Sequence, residues 1–108
     1  MQPTFLGKIS TPSAGSPVQL VTDRSVGACR ILFIIIPGFT GNIYVGGANM
    51  NTATLEGVLI QFNRPAMAGQ PDHFAIDAPR GTNALVVSDY WVAASVAGGG
   101  VLVTYFQS

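Results

Sequence analysis

The one histidine of the chain, His73, lies between two carboxylates in Pro71-Asp72-His73-Phe74-Ala75-Ile76-Asp77. An imidazole within hydrogen-bond reach of a carboxylate is the start of general acid–base catalysis or of a metal site. The spacing argues against both. On an extended strand His73 and Asp77 share a face but stand two pleats apart, too far for a triad-type hydrogen bond. His73, Asp72 and Asp77 are therefore expected neither to catalyse nor to hold a metal. No Gly-x-Ser-x-Gly elbow occurs, and Gly7-Lys8-Ile9-Ser10 lacks the upstream glycine frame of a phosphate loop. The single cysteine, Cys29, cannot form an internal disulfide, and with one histidine it cannot complete a zinc module. Flanked by a small residue and leading into an apolar strand, Cys29 reads as a buried small hydrophobe. The expectation is a chain without catalytic residues, cofactor or metal, and not an enzyme.

Recognition by ring faces and amides is the second chemistry within reach. Tyr44, Tyr90 and Trp91 supply aromatic faces, and Asn42, Asn49, Asn51 and Gln61 supply amides, the equipment of a glycan-binding sandwich. Against this, Tyr90 and Trp91 are adjacent and face opposite ways on one strand, which puts one ring in the core and one at an interface. A carbohydrate-binding β-sandwich module is the alternative reading.

Those residues need elements to hold them, and the elements read as strands. No stretch of ten residues keeps a helical period without glycine, proline or a β-branched run. Strands are predicted at Thr4 to Ser10, Val18 to Thr22, Ala28 to Ile36, Asn42 to Val45, Leu55 to Phe62, Phe74 to Asp77, Leu85 to Ser88, Tyr90 to Val96 and Val101 to Phe106. Loops are predicted at residues 11–17, 37–41, 64–71 and 97–100, each rich in glycine, proline or serine. The expected fold is all-β, a small two-sheet sandwich or jelly roll of about eight short antiparallel strands. Residues 18–108 form its single domain. Residues 1–17, with Pro3, Pro12 and Pro17, are either an extended N-terminal arm or an edge strand.

Charge is scarce. Of 108 residues 9% are charged and 48% hydrophobic, with formal net charge zero, where an ordinary domain has about 25% charged. A monomer of this mass exposes about 5,700 Å², so ten charges leave one per ~570 Å², against one per ~210 Å² for ordinary composition. Such a surface keeps copies apart poorly. Two strands sharpen the point: Val101-Leu102-Val103-Thr104-Tyr105-Phe106 and Arg30-Ile31-Leu32-Phe33-Ile34-Ile35-Ile36 are apolar on both faces. In a small antiparallel sandwich one face normally meets water, so a second covering surface is expected. Lys8, Arg24, Arg30, Arg64 and Arg80 are scattered and make no basic patch, so nucleic acid is not an expected partner. The apolar run Ile31 to Ile36 is far shorter than the ~20 residues of a membrane span. Residues 1–5 lack the charged and apolar regions of a secretory signal. A cytoplasmic product with no membrane association is expected.

Gly41-Asn42-Ile43-Tyr44-Val45-Gly46-Gly47, Gly57-Val58-Leu59-Ile60, Ser88-Asp89-Tyr90-Trp91-Val92 and Ala97-Gly98-Gly99-Gly100-Val101, closed by Tyr105-Phe106, follow one another in an order that resembles small virion structural proteins of tailed bacteriophages. Capsid decoration (cement) proteins and other head or tail accessory proteins have similar segments, and the resemblance spans about residues 28 to 106. In that pattern a Pro-Gly turn follows the glycine-led apolar strand; here residues 62–69 stretch the turn. The resemblance implies an all-β sandwich that binds the major capsid protein and often forms homotrimers. It also implies a place on the capsid surface of a virion assembled in a bacterial cytoplasm. A tail or fibre accessory protein is the nearby variant. The residues expected at the oligomer or capsid interface are Phe5, Leu6, Ile9, Tyr44, Trp91, Leu102 and Phe106.

Overall fold

A computed structural model describes residues 2–36, 39, 41–63 and 73–108. Ten strands follow in order: β1 (Gln2–Thr11), β2 (Val18–Gln19), β3 (Gly27–Ala28), β4 (Arg30–Ile35), β5 (Asn42–Asn51), β6 (Glu56–Asn63), β7 (His73–Asp77), β8 (Leu85–Val86), β9 (Trp91–Ala94) and β10 (Gly99–Gln107). Among the described residues the only helical segments are single 3₁₀ turns at Pro79–Gly81 and Val87–Asp89. The predicted loop at 64–71, together with Pro37, Gly38, Thr40 and Asp72, lies outside the described residues.

Alternation decides the layers. In β4, Ile31, Phe33 and Ile35 are fully buried while Leu32 and Ile34 are half-buried, and in β10 Val101 and Val103 are buried while Leu102, Thr104 and Phe106 are half-buried. One face of each strand thus enters the core and the other leaves it. The first sheet runs β1-β10-β4-β7 and the second β2-β9-β5-β6, with β3-β8 a separate short ladder. Every pairing is antiparallel. With the eight sheet strands numbered in chain order and the short ladder set aside, the sheets read 1-8-3-6 and 2-7-4-5. That is the jelly-roll order, two interlocked Greek keys closed by the pairing of first and last strands.

Between the sheets Ile31, Phe33, Ile35, Val101 and Val103 meet Ile43, Val45, Val92 and Ala94 in one buried cluster. Burying the Ile, Phe and Val side chains among them contributes about 1.5–3 kcal/mol each. Phe74 of β7 stacks on Phe33 at a centroid distance of 6.4 Å and tilts against Phe62 of β6 at 6.0 Å. Rings from both sheets thereby close the sandwich along the β6–β7 edge. Cys29, 3% exposed, links β3 to β4, and its backbone N–H donates to the Phe106 carbonyl at 2.8 Å.

β1 lies along β10 in nine registered pairs, interrupted by a bulge between Phe5 and Gly7. Gly7 takes φ +87° there, a conformation that favours glycine. As an edge strand β1 also carries Pro3, the bulge and the exposed Lys8, all of which discourage indiscriminate strand addition.

Candidate functional site

Registration of the first sheet sets out its outer face row by row, because directly paired residues point the same way. Lys8, Leu102, Ile34 and His73 form one row; Phe5, Thr104, Leu32 and Ala75 the next; Pro3, Phe106, Arg30 and Asp77 the third. Apart from the Thr104 hydroxyl, the middle of this face is apolar. Phe5 is 66% exposed, and Leu32, Ile34, Leu102 and Phe106 keep partial exposure outside the core cluster. Polar groups mark the rim: Lys8 on β1, His73 at one end of β7, and the Arg30–Asp77 ion pair (3.1 Å) at the other. Both partners of that pair are solvent-exposed, so it contributes well under ~1 kcal/mol and acts mainly as a boundary. The Asp77 carboxylate is thus turned to Arg30, and His73 stands four residues along the same strand.

The seven residues expected at an interface fall into three groups. Phe5, Leu102 and Phe106 lie on this outer face. Leu6 and Ile9 pack against the chain's own core instead. The bulge is the reason: it shifts the alternation of β1, turning Phe5 and Lys8 outward while Ile9 pairs with the inward Val101. Tyr44 and Trp91 belong to the opposite sheet, where Tyr44 is only 7% exposed. There the β5–β6 ladder slips register at Gly46, and Tyr44, Met50 and Ala93 form a second buried cluster with Val58 and Trp91 against it. Leu32 and Ile34 also lie on the outer face; the two-faced apolar run of residues 30–36 pointed to their strand, and they were not among the seven residues expected at an interface.

Of the rings and amides considered for glycans, Gln61 pairs directly with Tyr44 and Trp91 packs against the Tyr44 cluster, while the others do not join them. Tyr44 is covered, and Tyr90 packs against the main core. Asn51 Oδ1 accepts from the Ala53 and Thr54 N–H groups of the hairpin turn at 2.9 and 3.2 Å. Trp91 borders an open cleft together with Gln19, Arg24, Ala48, Ser88 and Asp89. Among the described residues, no group of three or more His, Cys, Asp and Glu side chains is placed to hold a metal ion. No protein-family model, curated protein or solved structure is matched by this chain.

Proposed function

We propose that the chain is a non-enzymatic structural protein of a phage virion, a decoration protein that docks on the assembled major capsid protein and stabilises the shell, acting as a homotrimer at the capsid surface. The observation that carries the reading is the outer face of the first sheet: an apolar centre of Leu32, Ile34, Leu102 and Phe106, a projecting Phe5, and a thin charged rim. Contiguous apolar surface with a polar border is the usual mark of a protein–protein contact. Scarcity of charge over the rest of the chain points the same way. The jelly roll adds support by analogy alone, since the architecture recurs in viral capsid proteins and also in lectins. Many identical weak contacts repeated over a symmetric shell sum through multivalency, so a small neutral unit needs no catalytic step to hold a lattice together.

Co-sedimentation with shells assembled from the parent phage's major capsid protein tests the reading. The wild-type chain is expected to pellet with shells to a saturating stoichiometry. A Leu102→Asp variant, which places a carboxylate in the middle of the outer face, is expected to keep its circular dichroism spectrum and stay in the supernatant. A wild-type chain that never pellets with shells would overturn the reading.

A further inference from the structure

The cleft beside Trp91 lies on the outer side of the second sheet, opposite the proposed docking face, and the docking reading leaves it unused. It is an open cleft of about 380 Å³, at the small end of the ~300–1,000 Å³ of small-molecule sites. Its parts are held in place. Trp91 is anchored against the Tyr44–Met50–Ala93 cluster, and Gln19 pairs with it across β2 and β9. The Gln19 Nε2 group donates to the Ser88 carbonyl at 2.8 Å, which fixes the amide and leaves Oε1 as an acceptor. Asp23 Oδ1 accepts from the Ser25 N–H and Oγ at 2.9 and 2.7 Å, ordering the turn that presents Arg24. Arg24 and Asp89 are both exposed, and among the described residues neither joins an ion pair. A fixed acceptor amide, a free carboxylate and a free guanidinium thus surround an indole.

We propose that this cleft binds a saccharide, with one sugar ring against Trp91, its hydroxyls donating to Asp89 and to Gln19 Oε1, and its oxygens accepting from Arg24. A pyranose has an apolar ring face for the indole and hydroxyls that donate and accept around its edge, matching donors and acceptors that alternate around one ring. A nucleotide or other phosphate ligand would meet the Asp89 carboxylate, and a purely apolar ligand would strip water from Arg24 and Asp89 without replacing it. The inference is independent of capsid docking. Its test uses the isolated protein, so either reading can fail without the other.

Trp91 is the only tryptophan of the chain, so emission excited selectively at the indole, on the red side of tyrosine absorption, comes from the ring that borders this cleft. Titration with glucose, galactose, mannose, rhamnose, N-acetylglucosamine and lactose is expected to give a saturable emission change with at least one sugar, at a dissociation constant on the order of 1 mM. An Arg24→Ala, Asp89→Ala double variant alters exposed side chains and is expected to keep the fold, as circular dichroism would check. It should weaken binding by at least about tenfold. No response to any of these sugars, a response that survives unchanged in the double variant, or a response to inorganic phosphate in their place would overturn the inference.

Discussion

Thr11 is fully buried, and its Oγ1 is a buried side-chain oxygen without a hydrogen-bond partner. An unsatisfied buried hydroxyl costs about 1–3 kcal/mol, and valine has nearly the same shape without it. Thr11→Val is therefore expected to stabilise the fold by about 1 kcal/mol, raising Tm by ~4–8 °C in a domain of this size; calorimetry reads the shift. Gly46 is the opposite case. A Cβ there would run into the Gly57 carbonyl oxygen and stand 3.1 Å from the Val58 Cα, backbone atoms that cannot step aside. Gly46→Ala is expected to destabilise by ~1–3 kcal/mol, seen as a lower urea midpoint. Tyr90 titrates above its ordinary value of 10.0, first because burial disfavours the phenolate and second because Asp89 is close by. A raised value means that the stabilisation is complete below pH ~10 and lost as pH rises through the folded value. Alkaline unfolding curves of Tyr90→Phe should accordingly be flatter above pH ~10 than those of the wild type. What the residues did not disclose in sequence was the direction of β1. Strict alternation puts Phe5 and Ile9 on one face, and only the bulge at Gly7 separates them.

At the scale of elements the strands were legible because turn residues bound them on both sides. The two-faced apolar character of residues 30–36 and 101–106 led to the expectation of a second covering surface; in the fold these residues supply β4 and β10, the two inner strands of the first sheet. The predicted strand Ala28 to Ile36 is divided at Cys29 into β3 and β4, and Val87–Asp89 forms a 3₁₀ turn where a strand was predicted to run on to Ser88. Local composition does not separate these forms, since which ladder a residue joins depends on partners distant in the chain. The same holds for residues 1–17, where arm and edge strand are both compatible with the prolines. Gln2–Thr11 lies along β10, so deleting residues 1–11 should strip β10 of its outer partner and leave a long bare edge. The expected product is unfolded or aggregated, scored by circular dichroism and pelleting; a folded, soluble product would contradict the account of β1.

The order of strands within the sheets was the least legible feature of the whole molecule. Jelly-roll closure pairs residue 2 with residue 107, and no local pattern encodes a pairing of such separation. The cleft at Trp91 is likewise assembled from β2, β5, β9 and two turns that adjoin only in the fold. Surface character, by contrast, was readable from composition alone. The chain has five acidic and five basic residues, and among the described residues the charged groups on the first sheet, Lys8, Arg30 and Asp77, lie at the rim of its outer face. At whole-molecule scale the expected outcome is a trimer of the 11.2 kDa chain by light scattering at micromolar concentration, dissociated or weakened by Ile34→Asp. The central claim, that this face is covered in a virion, is met most directly by a side-chain-resolution cryo-EM map of the parent phage particle. The account expects jelly rolls seated on the capsid lattice with Leu32, Ile34, Leu102 and Phe106 buried against the shell or a neighbouring copy. A particle that lacks this chain, or carries it with that face open to solvent, would contradict the account.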